Sequence, residues 1–527
     1  MSVSDLSPYA TDGAARRSDA SHRDMLRALS LFAFVAILGV LIRPTLPIDE
    51  TRYLAVAWEM RHTHDWLVPH LNGHAYADKP PLLFWLINLV WLITGPSAIA
   101  ARMVAPAFGA LTIWLTARLA GRLYPDSPEI VGRAALILVG TFGFALFGGL
   151  TMFDTLLACS TVLGVLALTH VRPHAVGGWI GLGAALALGG FSKGPVILIH
   201  LLPLAIAAPL WRPVSWRQML GGVAIALGVA LAVISLWLIP ALIGSNAEYR
   251  QAVLWTQSAG RMVNSFAHQR PFWFLIALLP ILLWPWAWSP GIWQKARFTR
   301  PLVIWIGSTV VIFSMIAGKQ AHYLMPVLPA FAIAFAPAMG RDKVGFRLAA
   351  ILPFALAAVL IALCLGVGPS AYAMAADPVG VAVLAAALAA AAGALLWINP
   401  GSQLAGPVLA GPLVVCAVIA LFLGTMGREY DAGPLAGRLA AHDAQGVGLV
   451  DGRYHGQFTF AARLTHPVQV FSVMADAQAW LNACPGRILT AQMDADAPAP
   501  DETFRFRGQT WGLWTSTSHL GKAGSCQ

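Results

Sequence analysis

Charge is what this chain of 527 residues lacks most. Only 11% of its residues are Asp, Glu, Lys or Arg, against 58% hydrophobic. Soluble domains carry about 25% charged residues, so a soluble enzyme of this length is excluded. Disorder is excluded as well, because the mean hydropathy is +0.68 and disorder needs the opposite balance. Cysteine is scarce, with 5 in the chain and neither a CxxC pair nor zinc-finger spacing. No short apolar core followed by a small-residue cleavage site precedes the first long apolar run. Residues 1–24 are polar, rich in Ser, Asp and Arg, and a cleaved signal peptide is not expected. No internal repeat is evident.

What is present is a series of apolar runs of spanning length. A bilayer crossing takes about 17–25 such residues. The runs fall near 27–46, 100–120, 132–151, 155–171, 176–192, 195–211, 219–243, 272–290, 302–317, 322–339, 347–367, 379–397 and 404–425, predicting about thirteen membrane helices. Leu82–Thr94 is apolar but short, and charge decides its place. With the N-terminus and Arg16, Arg17, Arg23 and Arg27 in the cytoplasm, and 82–94 lying at the interface, one face collects Arg118, Arg122, Arg133, Arg172, Arg212, Arg217, Lys295, Arg297, Arg300, Arg341, Lys343 and Arg347. That is the positive-inside pattern, and it accounts for most of the formal charge of +10 without nucleic acid. Counting 82–94 as a span would invert every later loop.

Three parts follow: a cytoplasmic tail (1–24), a membrane domain (25–426) with long outer loops at 47–81 and 244–271, and an outer C-terminal domain (427–527). In the last part polar residues return and apolar runs shorten. Val447–Val450, Gln457–Phe460, Val468–Phe471 and Arg487–Thr490 read as strands, and Ala475–Asn482 as a helix, giving a small α/β domain. Cys159, Cys364 and Cys416 fall in spans. Cys484 and Cys526 both fall in the outer domain, where an oxidising compartment permits pairing without requiring it.

The outer loops hold charges that topology does not explain. Asp49 and Glu50 follow the first span, with Arg52 and Tyr53 beside them. An N-cap would account for one carboxylate at a helix start, but not for two, nor for Asp78-Lys79-Pro80-Pro81 further along the loop. Prolines after Lys79 stiffen the backbone, which suits holding a cation against a phosphate. Asp154 lies between two spans, where a helix cap is the plain alternative. Lys193 and Lys319 would be snorkelling anchors, except that they lie on the face that should be poor in positive charge. His268 and Arg270 close the second long loop. Trp58, Trp66, Trp85 and Trp91 suit either an aromatic belt or contact with lipid and sugar faces. Carboxylates among cations at one membrane surface suit binding an anionic lipid head group and activating a hydroxyl.

These residues, in this order, resemble the ArnT-like glycosyltransferases, bacterial relatives of the protein O-mannosyltransferases (the dolichyl-phosphate-mannose-protein mannosyltransferase family). The resemblance rests on Asp49-Glu50-Thr51-Arg52-Tyr53, Asp78-Lys79-Pro80-Pro81-Leu82 with Trp85, Phe153-Asp154, Lys193-Gly194, His268 and Lys319-x-x-x-Tyr323-x-x-Pro326. It implies an all-α polytopic C-type glycosyltransferase fold, a polyprenyl-phosphate sugar donor and chemistry at the periplasmic face of the bacterial inner membrane. It further implies Asp49, Glu50 and Asp154 as catalytic carboxylates, and Arg52, Lys79, Lys193 and Lys319 at the donor phosphate. Tyr53, Trp85, Arg270 and Tyr323 would line the cavity. Asp78 and His268 correspond to positions associated with a divalent metal, Zn or Mg. Lipid A is the acceptor expected first, with a 4-amino-4-deoxy-L-arabinose donor, and other lipid, glycan or protein acceptors remain open. In the lipid A transferases a glutamate usually precedes the lysine, whereas Asp78 is one methylene shorter. A lipid-linked sugar transporter is the main rival, but it calls for mid-span charges and pseudo-symmetric halves that are not evident. A non-catalytic scaffold leaves the outer acid-and-base loops unexplained.

Overall fold

In the computed structural model the described residues are 8–255, 269–339, 344–364, 378–396, 405–451, 453–494 and 497–516. Most of them are helical. Helix α1 (Pro8–Ile42) leads to α2 (Asp49–Thr63), a short hairpin of β1 (His70–Leu71) and β2 (His74–Ala75), and α3 (Leu82–Thr94). Then follow α4 (Ala98–Leu123), α5 (Glu129–Gly140), α6 (Phe142–Gly148), α7 (Phe153–Leu168), α8 (Gly177–Lys193), α9 (Val196–Ile206) and α10 (Trp216–Gly244). Among the described residues five helices are long and apolar enough to cross a membrane, or six if the bent pair α5–α6 forms one span. Further apolar helices of 10–17 residues lie between them, α3 included.

Local chemistry sets the boundaries. Ser97 accepts the Ala100 N–H and starts α4, after Gly95 (φ 68°) and Pro96 have ended α3. Ser215 and Gln218 form a reciprocal capping box at the head of α10. The run read as one span over 132–151 bends by 71° between α5 and α6. At the break the Phe142 N–H donates to the Trp284 carbonyl (2.9 Å), a partner outside its own helix. The run over 272–290 is α-helical at Phe274–Leu282 and then tightens to a 3₁₀ turn at Trp286–Trp288, where Pro285 interrupts it. The run over 322–339 likewise opens as a 3₁₀ helix, Ala321–Val327, before Leu328–Phe335 continues as α-helix.

Small residues let helices approach closely. A Cβ on Gly183 of α8 would stand 2.6 Å from the Ala226 carbonyl oxygen of α10. One on Gly411 would meet the Gly140 carbonyl at 2.4 Å. The outward side of α10 is apolar, with Leu220, Leu231, Leu236, Ile239 and Ile243 exposed, as a lipid-facing helix requires.

The C-terminal domain is a five-stranded sheet in the order β4-β3-β5-β7-β6. Its strands are β3 (Val447–Val450), β4 (Gln469–Phe471), β5 (Ile488–Gln492), β6 (Glu502–Phe506) and β7 (Gln509–Thr515). β3 runs parallel to β4 and β5, while β7 is antiparallel to β5 and β6. The expected helix is present as Met474–Ala483. The expected strand at Gln457–Phe460 is not. Thr459–Ala462 is one helical turn, held because the Tyr454 hydroxyl bonds Thr459 Oγ1 (2.8 Å) and accepts the Phe458 N–H (3.2 Å). Phe458 then packs on Phe506 and Trp511. Cys484 is disulfide-bonded, and Cys526 lies outside the described residues.

Candidate active site

Two ends of the helical domain carry the charges. At one end Ser21 Oγ donates to the Pro128 carbonyl (2.7 Å), Tyr124 to that of Arg297 (2.6 Å) and Arg300 to that of Leu210 (2.9 Å). This end gathers the loops expected on the cytoplasmic side. The other end gathers Asp49, Glu50, Arg52, Asp154, Lys193, Lys319 and Tyr323.

Helix α2 begins at Asp49, and no side chain caps it, so the capping alternative fails. Asp49 instead pairs with Arg52 one turn on, and its side chain stays 51% exposed. Its neighbour Glu50 points the other way and is only 4% exposed. Arg43 grips both carboxylate oxygens, Arg102 stands at 3.8 Å, and the N–H groups of Leu46 (3.0 Å) and Thr151 (3.2 Å) donate to it. Burial alone would raise the Glu50 pKa, but the Arg43 and Arg102 charges and these hydrogen bonds hold it down at about 2. Glu50, expected beside Asp49 in catalysis, is placed as a buried tie between α1, α2, α4 and the turn before α7.

Asp154 sits in the first turn of α7 behind Met152, which occupies the cap position. Its Oδ1 takes the Lys193 ammonium at 2.6 Å, and its Oδ2 faces His322 Nε2 at 3.7 Å. Lys193, the last residue of α8 before the left-handed Gly194 (φ 64°), also lies 4.4 Å from the Tyr323 ring centre. Lys79 is within electrostatic reach of both Asp154 and His322, as Asp49 is of His322. One cluster thus draws on α2, the Asp78–Pro81 turn, α7, α8 and the 321–327 helix.

The remaining expected residues divide. Tyr53 is buried against Phe153 (5.0 Å, edge-on) and Phe84, and burial with the nearby Asp49 and Tyr76 raises its phenol well above the ordinary value. Trp85 donates to the Trp66 carbonyl (2.8 Å) and packs on Phe191 and Trp237. Lys319 is buried and donates to the Arg270 carbonyl (3.0 Å), while the Arg270 side chain is exposed over Phe274. His268 lies outside the described residues. Among those described, no group of three or more His, Cys, Asp or Glu is placed to hold a metal. A cavity of about 540 Å³ is an apolar recess lined by Pro280, Ala287, Trp288, Trp293 and Leu348, and none of the clustered charges lines it.

Sequence reasoning passed over His322, Tyr76 and Glu59. His322 stands inside the lysine–tyrosine motif, and its chemistry was the available signal. Glu59 accepts the N–H groups of Asn72 (2.5 Å) and Gly73 (3.0 Å), locking the β1–β2 turn. The Asn-Gly pair, both with positive φ, is the usual sequence mark of such a hairpin.

The C-terminal domain docks on α2. Trp58 Nε1 donates to the Leu464 carbonyl (2.7 Å), and Asn72 exchanges two bonds with the Val468 backbone (2.7 and 2.9 Å). Phe460 stacks on Trp91 (5.2 Å), and Gly456 nests against Ala55 and Leu71. Any Cβ at 456 would come within 2.7 Å of Ala55 Cβ.

The chain is similar to known proteins in both sequence and fold. Residues 78–239 match the family model "Dolichyl-phosphate-mannose-protein mannosyltransferase". The undecaprenyl phosphate-alpha-4-amino-4-deoxy-L-arabinose arabinosyl transferase of Pseudomonas paraeruginosa is 29% identical over 390 residues, 70% of each chain. That of Pseudomonas aeruginosa is 31% identical over 296 residues, so the match spans about half of each chain (53%). The crystal structure of ArnT from Cupriavidus metallidurans bound to undecaprenyl phosphate superposes with a TM-score of 0.71 at 19% identity, covering 93% of this chain and 97% of that one. Its apo form gives 0.70 over 94% and 98%. The chain therefore has the fold of the ArnT crystal structures, and the resemblance to ArnT-like proteins drawn from its loop residues is shown in sequence and in fold alike.

Proposed function

We propose that the chain is a glycosyltransferase of the bacterial inner membrane that moves a sugar from a polyprenyl-phosphate donor to an envelope acceptor at the periplasmic face. The expected donor is undecaprenyl phosphate-linked 4-amino-4-deoxy-L-arabinose and the expected acceptor lipid A. The names of the relatives support the donor. The observation that carries the reading is the placement of Asp49–Arg52 and Asp154–Lys193, from separate segments, about the shared neighbours His322 and Tyr53 at one end of the membrane domain. The other end carries the arginines, which supports a cytoplasmic N-terminus and an outer site. The shorter apolar helices other than α3 supply further crossings towards the expected set of about thirteen.

The reaction is a direct displacement at the anomeric carbon, with inversion. The acceptor oxygen attacks, the bond to the polyprenyl phosphate breaks, and the electron pair leaves with the phosphate. Lys79, Arg52 and Lys193 hold that charge, as preorganised cations do best where water is scarce. Asp49 orients the acceptor and offsets positive charge developing on the sugar. Asp154 positions Lys193, and Glu50 fixes the start of α2 on which Asp49 and Arg52 stand. Lys319 supports the loop of Arg270. The test is mass spectrometry of lipid A and other envelope glycans from cells with and without the gene. Loss of an aminopentose mass from lipid A is expected; an unchanged envelope overturns the reading.

A further inference from the structure

Each carboxylate that this reading brings to the reaction already has a cationic partner. Asp49 is paired with Arg52, Asp154 with Lys193 at 2.6 Å, and Glu50 lies buried between Arg43 and Arg102. An acceptor hydroxyl, or a phosphate carrying one proton, must nevertheless lose that proton as it attacks. The cluster contains another group able to take it.

We propose that His322 is the general base of this transfer, oriented by Asp154. Its Nε2 faces Asp154 Oδ2 at 3.7 Å, longer than a hydrogen bond, so the carboxylate biases the ring by its charge towards the Nε2–H tautomer and leaves Nδ1 as the basic nitrogen. Phe147 (6.0 Å) and Tyr323 (5.1 Å) pack against it and fix the ring plane. The side chain is 17% exposed, so the free edge is reachable. Asp49 on α2, Lys79 on the Lys-Pro-Pro turn and Lys193 on α8 are the other charges that act on it. Asp154 stabilises the imidazolium once the proton arrives.

The step balances without another reactant. The acceptor O–H proton passes to the free ring nitrogen of His322, and the oxygen bonds the anomeric carbon. The carbon–oxygen bond to the polyprenyl phosphate breaks, and its electron pair leaves on the phosphate against Lys79, Arg52 and Lys193. The proton then passes to water.

This inference rests on the proposed transferase reading, and the experiment separates the two. Purified full-length protein in lipid nanodiscs is given undecaprenyl-phosphate aminoarabinose and either lipid A with its phosphates or an analogue offering only hydroxyls. His322→Gln should lower kcat about 10²–10³-fold at neutral pH, leave the donor KM and undecaprenyl phosphate binding unchanged, and remove the acidic limb of the wild-type pH profile. Imidazole should partly restore His322→Ala. With the phosphate acceptor the defect should shrink above its second pKa, about 6; with the hydroxyl acceptor it should persist. A His322→Gln enzyme within threefold of wild type (about 0.7 kcal/mol) overturns the inference while the reading stands. So does a loss that leaves the pH profile unchanged and resists imidazole. Wild-type protein that transfers sugar to neither acceptor overturns both.

Discussion

The two ends of the membrane domain treat charge in opposite ways. At the inner end arginines bond to backbone carbonyls. Arg212 donates twice to Val171 O (3.1 and 2.8 Å) and Arg300 to Leu210 O (2.9 Å). Such cations interact with the carboxyl ends of helices and with the membrane surface, and each is worth little alone. At the outer end the cations face carboxylates: Arg43 with Glu50, Arg52 with Asp49, Lys193 with Asp154. The Glu50 and Asp154 side chains are 5% and 4% exposed, so these pairs are out of water and their loss leaves a buried charge. The difference teaches that positive charge meets backbone carbonyls at one end and carboxylates at the other, and only the second arrangement gathers ions of both signs.

The contrast can be broken most severely at Asp49. Asp49→Asn should abolish sugar transfer, by about 10³-fold or more, with normal protein in the membrane; turnover near wild type in a reconstituted assay would remove Asp49 from the chemistry. Glu50→Gln should act on folding instead, costing about 3–5 kcal/mol because Arg43 and Arg102 lose their counter-charge. Lower yield and a lower thermal midpoint would report it. Glu50 also predicts a pH dependence. Its folded pKa of about 2 lies below the ordinary 4.5, so its stabilisation is complete above about 4.5 and is lost as pH falls towards 2. The stability difference between wild type and Glu50→Gln should therefore narrow as pH falls from about 4.5 towards 2, and a difference that stays constant with pH would remove Glu50 from this linkage.

A smaller effect tests how the outer domain is joined to α2. Asn72→Ala removes both bonds to Val468 and places alanine at φ 55°, costing about 2 kcal/mol. Faster limited proteolysis of residues after Gly427 should follow, with undecaprenyl phosphate still bound. The smallest effect belongs to the inner end. Arg300→Gln should change stability by under about 0.5 kcal/mol and leave transfer unaltered; a marked loss of activity would blur the distinction between the ends.

How much of this was readable without coordinates varies by residue. The bounds of α3 follow directly from Pro81 and Gly95 at its ends. Asp49, Lys79, Asp154 and Lys193 could be singled out because charge is so scarce that each outer-face ion stands clear of the background. Glu50 could not be separated from Asp49, since adjacent residues on a helix point about 100° apart and only packing says which side is the core. The turn at Thr459–Ala462 was misread because Gln-Phe-Thr-Phe alternates as a strand does; the Tyr454 hydroxyl and the Phe506–Trp511 ring pair override the pattern. β6 and β7 went unread, although Arg507-Gly508, both at positive φ, mark their hairpin.

Composition and charge placement by themselves determined that this is a multi-pass membrane protein with an arginine-rich face and a second face of unexplained ions. Burial and loop charge act through the solvent, and the solvent preference of each residue is written in its type. Which ions meet was decided only by tertiary structure. Asp154, Lys193 and His322 are far apart in the chain, and no period or propensity specifies a distance between them. The packing of α7 against α8 and the 3₁₀ helix at Ala321–Val327 does, and it is there that scarce charge becomes a site.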